Sequence, residues 1–438
     1  MDPLELQDTS LRERVIGLAR RRVTSDLLVT AGSRWVQIVV GLVGSVVSAR
    51  VLGPTDFGLF GLVISLVMVI GTIADAGLTY SAIRLIARDL EHDVNRSHVV
   101  ARAYFRLRVL SGSTMAIAGI LMSGPLAWLL GYPELVPYLQ WGFLTLFSLS
   151  LSSYPNTVLV ALARFGQLGM AGILNAVITV AGILALYFSG VLTLGTLVAW
   201  NVVLPLVSSV PAWLAIPREW LPWRLWRVGE LALRTEALHE LVTFGKWIGL
   251  SLVGTMLVTQ GDVLLLGKLS TPAAVGVYSV ALALASRLDT VNQSLFTIMM
   301  PRASRLTGKA NIRTYWRKVA LGSGGLAVGL GVVAVIAQPL IIWLYGERYE
   351  DSAGLFLALL VVVLFDLATS SLFLLVFPLN RPRLLAAADW LRVAVFGLAG
   401  FLLIPIYGAF GAVAARFLAR VTGTAVTLLN LRKAINEE

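Results

Sequence analysis

Long apolar runs, broken by short polar stretches, fill this chain from about residue 27 to its end. Twelve of them reach or approach the 17–25 residues that a membrane-spanning helix needs. They cover roughly 27–49, 59–81, 107–130, 138–162, 168–188, 193–215, 242–266, 273–298, 317–338, 352–377, 384–404 and 408–431. Several breaks carry turn chemistry, including "LGPTDFG" (Leu52–Gly58), "GYPELVP" (Gly131–Pro137) and "FPLNRPR" (Phe377–Arg383). The pattern predicts an all-α polytopic membrane protein with both faces of most helices apolar. The first run is longer than the 7–15-residue core of a signal peptide, so it is expected to remain as a signal anchor.

Composition agrees. The 438 residues are 57% hydrophobic and only 13% charged, against about 25% charged in soluble domains. Cysteine is absent, and His92, His98 and His239 have no metal-ligand spacing. Disulfides, thiolate-held metals and clusters are thereby excluded, and no cofactor is expected. The formal charge of +11 changes the picture only through its placement. Alternate loops hold 27 Lys and Arg, against three (Arg50, Lys268 and Arg348) in the others. Basic loops face the cytoplasm, so both termini are expected there, and nucleic acid is not an expected partner. The linker Pro217–Leu241, with Trp220, Trp223 and Trp226 among arginines, reads as a helix lying in the cytoplasmic interface, as does Leu11–Val23.

The chain also reads as a duplication. "VTAGSRW" (Val29–Trp35) is echoed by "VTFGKW" (Val242–Trp247), "LVGS" (Leu42–Ser45) by "LVGT" (Leu252–Thr255), and "FGLF" (Phe57–Phe60) by "VGVY" (Val275–Tyr278). Six spans per half is an even number, so the halves share one orientation and enclose a cavity between them. The expected divisions are an N-terminal segment 1–26, a lobe over 27–215, a linker over 216–241, a second lobe over 242–432 and a tail over 433–438.

At this point three stretches resemble the polysaccharide (O-antigen-type) flippases of the multidrug/oligosaccharidyl-lipid/polysaccharide exporter superfamily. They are "SARVLGPTDFGLFGLVISLVMVIGTIADAGLTYSAIRLIAR" (Ser48–Arg88), "GDVLLLGKLSTPAAVGVYSVALALA" (Gly261–Ala285) and "IPIYGAFGAVAARFLAR" (Ile404–Arg420). The resemblance implies a two-lobed bundle working by alternating access in a prokaryotic plasma membrane. It implies undecaprenyl-diphosphate-linked oligosaccharide as cargo, moved to the outer leaflet, with membrane lipids and a polysaccharide polymerase or assembly machinery as partners. Rival readings are a cation-coupled multidrug exporter, a lipid II flippase, and a membrane glycan polymerase or transferase. The last would need catalytic residues in sizeable non-cytoplasmic loops, which are short here.

A diphosphate crossing an apolar core about 30 Å thick needs fixed cations in place of water, and arginine offers a permanently charged fork. No group is required to break a bond. Intramembrane charges are therefore the site candidates. Arg34, Lys246 and Arg287 are the expected diphosphate ligands, with Asp75 at a depth where it would pair with Arg34. Span eight carries a small, polar stripe through Ser279, Ala283, Ser286, Thr290, Gln293 and Thr297, flanked by Arg287 and Asp289. Asp262 is expected to be structural. Arg416 and Arg420 share one face of span twelve, with Asp366 placed to meet Arg420, and Asp389 and Arg392 placed to meet each other. "GSGGLAVGLG" (Gly322–Gly331) lacks the Gly-Lys-Ser/Thr of a nucleotide loop and is read as helix packing.

Overall fold

The computed structural model describes the backbone of residues 3–224, 231–303, 331, 335–376 and 382–437, and side chains over most of 35–224, 235–288, 335–369 and 389–426. Helices account for nearly all of it, and no strand occurs among the described residues. They are α1 (Pro3–Asp75), α2 (Leu78–Leu90), α3 (Val94–Leu130), α4 (Val136–Ala161), α5 (Phe165–Phe188) and α6 (Leu194–Ala215). The second half has α7 (Leu231–Leu269), α8 (Pro272–Ala303), α9 (Val335–Tyr345), α10 (Ser352–Val376), α11 (Pro382–Tyr407) and α12 (Ala409–Glu437). Nine helical stretches among the described residues are long and apolar enough to span a membrane. One of them, Trp35–Asp75, has 41 residues, about 60 Å of helix at 1.5 Å per residue. That is twice the hydrocarbon thickness, and the helix turns at Gly53, whose φ of 74° is left-handed, followed by Pro54. Spans one and two are thus two arms of one element.

Three expected boundaries move. Span two ends at Asp75, six residues early, because Ala76 and Gly77 both take positive φ before α2 begins. A Cβ on Gly77 would stand 2.5 Å from the Gly245 carbonyl oxygen, so only glycine lets α7 approach here. Span three begins thirteen residues early: Asp93 caps α3 by accepting from the amides of Asn95 (2.9 Å) and Arg96 (3.1 Å). Arg96, Arg102, Arg106 and Arg108, counted above as loop residues, are therefore helical, and Arg102 and Arg108 are buried. The linker helix is absent over 217–224, where a 3-10 turn at Arg218–Trp220 is followed by extended backbone. Trp220 is buried against His98 and its carbonyl accepts from Tyr154 Oη (2.6 Å), while Trp223 is exposed. Trp226 lies outside the described residues.

The halves meet by a reciprocal rule. A Cβ on Gly58 would stand 1.8 Å from the carbonyl oxygen of Pro272, and one on Gly276 would stand 2.0 Å from that of Pro54. Tyr132 Oη donates to the Gly267 carbonyl at 2.9 Å, and Tyr349 Oη donates to that of Ala49 at 2.9 Å. Each contact is its partner with the halves exchanged, as a two-fold relation requires. Both tyrosines follow a left-handed glycine (Gly131, φ 91°; Gly346, φ 93°) within one short turn. This collar closes the helix ends whose loops are poor in Lys and Arg, here called the sparse end. At the basic end, Arg88 and Arg96 bridge from α2 and α3 to Glu240 of α7 (3.2 and 3.1 Å), and Arg96 also reaches Glu236 (3.1 Å).

Removing both collar hydroxyls (Tyr132→Phe with Tyr349→Phe) is expected to favour opening of the sparse end. At about 1 kcal/mol per hydrogen bond, the closed population should fall roughly 10–30-fold relative to the open one. Because the chain has no native cysteine, a single cysteine placed near the collar reports this directly, as faster labelling by an impermeant maleimide.

Candidate functional site

A cavity of ≈ 610 Å³ lies between the second arm of α1, α2, α3, α4 and α7. Its charged wall is made where α1 stops. Asp75 is the last helical residue before the Ala76–Gly77 break, and Thr79, the second residue of α2, donates its hydroxyl to Asp75 Oδ1 (2.5 Å). Arg108 of α3 places Nε 3.3 Å from the same oxygen. The Tyr104 hydroxyl, one helical turn before Arg108, joins Thr79 (3.1 Å) to Thr157 of α4 (3.0 Å).

Arg108 is 7% exposed, and neither its Nε nor its Nη1 has a hydrogen-bond partner among the described residues. Nε lies 3.3 Å from Asp75 without a hydrogen bond between them, an ion pair rather than a bonded one. Leaving buried charged donors unsatisfied costs on the order of 1–3 kcal/mol or more. Such groups ordinarily mark a place where something else binds. Length explains how Arg108 came to be in the cavity. The 37 residues of α3 make about 55 Å of helix, so its first turns project beyond the hydrocarbon and Arg108 sits about 20 Å along, near the apolar boundary.

A second chamber of ≈ 560 Å³ adjoins the first and shares Val67, Met68, Leu149, Ser152 and Asn156 with it. It lies within the N-terminal half, among α1, α4, α5 and α6, and the polar part of its described lining, Gln37, Thr145, Asn156, Asn175, Asn201 and Ser208, is uncharged.

Among the described residues of the second half, three carboxylates each meet an arginine. Asp262, fully buried, accepts from Tyr278 Oη (2.6 Å), from the backbone amide of Val263 (2.8 Å) and from Arg416. Arg420 stands 3.4 Å from Asp366, and Arg392 3.0 Å from Asp389, which also accepts from Ser251. Thr255 and Thr259 of α7 line both this Asp389–Arg392 cluster and the Arg108 cavity.

Arg34, Asp289 and Gln293 fall on helices whose side chains there lie outside the described residues. Lys246 is exposed, with its ammonium 5.9 Å over the Trp247 ring, and it lines neither chamber. Arg287 is half-buried, donates to its own helix at Ala283, and has no carboxylate partner among the described residues. The upper part of the span-eight stripe packs rather than lines: Ser279 Oγ lies against Gly61 of α1. Asp75 is met by Arg108, one of the basic residues assigned above to loops; the expected Arg34 partner lies outside the described side chains. The signal that could have found Arg108 was the "HDVNRS" start (His92–Ser97), an N-cap Asp that extends span three back to Val94.

The described helices form a bundle in two reciprocally packed halves with chambers inside, the fold found in multi-pass transporters of the multidrug/oligosaccharidyl-lipid/polysaccharide superfamily. The chain belongs to the family described as polysaccharide biosynthesis protein, whose family model matches residues 47–354. Among solved structures it is similar to an inward-facing multidrug resistance MATE family transporter (TM-score 0.72, 18% identity, covering 94% of this chain and 98% of that one). It is less similar to an outward-facing transporter of the same description (TM-score 0.63, 15% identity, 94% and 96% covered). The lipid II flippase MurJ in an inward closed conformation matches at TM-score 0.68 and 11% identity, covering 92% of this chain and 87% of that one. No curated protein sequence matches this chain significantly.

Proposed function

We propose that this chain flips polyprenyl-diphosphate-linked oligosaccharide from the inner to the outer leaflet of a prokaryotic plasma membrane, by alternating access and without bond chemistry. Arg108 carries the reading. It is a buried guanidinium with unspent donors on the wall of a largely apolar cavity, in a member of a polysaccharide biosynthesis family. A diphosphate accepts from such a fork better than any neutral or cationic cargo does. Arg34, Lys246 and Arg287 would supply further positive charge along the route, with Asp289 and Gln293 beside Arg287.

The lobes 27–215 and 242–432, joined by 216–241, are taken as the moving bodies, with the basic end and both termini cytoplasmic. The closed collar at the sparse end, with the higher similarity to an inward-facing transporter, supports an inward-facing state that loads from the cytoplasm. A cation-coupled drug exporter fits less well. Such a site needs a carboxylate available to protons and cationic drugs, and Asp75, Asp262, Asp366 and Asp389 each have an arginine at hand.

Reconstitution of the purified chain in proteoliposomes distinguishes the two. Transfer of a labelled polyprenyl-diphosphate oligosaccharide across the bilayer, with no proton-driven ethidium efflux, is the expected result. Ethidium–proton exchange without lipid transfer would overturn the proposal.

A further inference from the structure

The uncharged chamber has no role in holding a diphosphate, and its chemistry is specific. Asn156 donates Nδ2 to the Ser152 carbonyl (3.2 Å) and Asn201 donates Nδ2 to the Leu197 carbonyl (2.9 Å). Each amide is fixed at its nitrogen and leaves Oδ1 as an acceptor. The Thr179 hydroxyl donates to the backbone carbonyl of Asn175 (2.8 Å) and only grazes its Oδ1 (3.4 Å), so the Asn175 amide keeps both its donor and its acceptor for a ligand. Thr145 is 6% exposed and its hydroxyl has no hydrogen-bond partner among the described residues. Two acceptors, an adaptable amide and an unspent hydroxyl thus line one chamber. Its ≈ 560 Å³ falls in the range of small-molecule sites, about 300–1,000 Å³. None of the described lining residues carries a charge.

We infer that this chamber, walled by Thr145, Asn156, Asn175 and Asn201, receives the first sugars of the cargo and selects for uncharged ones. The inference rests on the flippase reading above and names the glycan class that this reading leaves open. Sugar hydroxyls both donate and accept, so they match a wall offering both. A carboxylate sugar entering the same space would lose its hydration to amides and hydroxyls, with no cation among the described lining residues to replace it. Asn156 lies on the wall common to both chambers. A head group with its diphosphate at Arg108 therefore has its first sugar next to the amides. Sites built to hydrogen-bond a hydroxyl discriminate strongly against ligands that leave them unpaired.

The test uses two matched probes, geranylgeranyl diphosphate carrying either glucose or glucuronic acid, with the unglycosylated diphosphate as reference. They differ only in replacement of the C6 hydroxymethyl by a carboxylate. Binding and bilayer transfer are both measured on the full chain in proteoliposomes. The glucosyl probe should bind at least tenfold tighter than the bare diphosphate and cross at least tenfold faster than the glucuronosyl probe. Asn201→Leu and Thr145→Val should each remove most of the glucose-dependent gain while leaving affinity for the bare diphosphate within about twofold. Asn201→Lys should reverse the preference toward glucuronate. Transfer of both probes at equal rates would overturn the inference and leave the flippase intact. Glucose-dependent binding lost in Asn201→Leu, but no transfer of any probe, would keep the chamber and overturn the flippase. A glucuronosyl probe preferred by the native chain, or unchanged glucose-dependent affinity in both folded variants, would overturn the inference outright.

Discussion

Replacing Asp262 by leucine should cost more stability than any other single change discussed for this protein. Arg416 would be left as an uncompensated charge in a site where Asp262 is fully buried and Arg416 is 9% exposed. Removing one member of a buried ion pair costs about 3–5 kcal/mol. Tyr278 Oη, also fully buried, would lose its acceptor at the same time, adding about 1 kcal/mol or more. At roughly 2–4 °C per kcal/mol for a large domain, the melting midpoint in detergent should fall by about 10 °C. The double change Asp262→Leu with Arg416→Met removes both charges and should recover much of that loss, since buried pairs are often replaceable by packed apolar residues. A single Asp262→Leu variant melting with the native protein would show that the pair carries no structural load.

Arg108→Gln should have the largest effect on transport. Its donors are the unspent ones in the charged cavity, and each charge-assisted hydrogen bond they make to a phosphate contributes about 1.5–3 kcal/mol. Loss of one or two should slow transfer of a diphosphate lipid about 10–100-fold. Arg108→Lys keeps the charge without the planar fork and should fall between. Asp75→Asn separates a ligand role from a purely structural one. If Asp75 competes with the diphosphate for Arg108, Asn at 75 should tighten binding of the diphosphate. If the pair merely braces α1 against α3, Asp75→Asn and Arg108→Gln should be equally harmful.

Much of this molecule could be read from its pattern, for reasons visible in particular residues. The apolar runs located the spans because a membrane tolerates little else. The match of "FGLF" to "VGVY" captured the repeat, since Gly58 and Gly276 are the reciprocal contact points of the halves. The Arg420–Asp366 and Arg392–Asp389 proximities follow from helix depth and an i,i+3 spacing. What escaped was whatever depended on packing between distant elements. Tyr132 and Tyr349 form an equivalent pair, but "GYPEL" (Gly131–Leu135) and "GERYE" (Gly346–Glu350) align only at the leading glycine, with the tyrosine in a shifted place. Arg416 meets Asp262 across 154 residues. Arg108 was hidden by a charge count: a Lys/Arg-rich segment looks topogenic whether it is loop or helix, and only the Asp93 cap shows that α3 starts early. The two tryptophans of the described linker part company because Pro222 follows Leu221 and ends the 3-10 turn in extended backbone, which a three-residue spacing alone does not register.

The central claim is that Arg108 receives the diphosphate of a lipid-linked glycan on its way between leaflets. Its most direct test is the transfer rate of a labelled polyprenyl-diphosphate oligosaccharide in proteoliposomes holding equal amounts of folded native protein, Arg108→Gln or Arg108→Lys. The account predicts rapid transfer by the native chain, a 10–100-fold loss with glutamine and partial recovery with lysine. Native rates in the folded glutamine variant would contradict it.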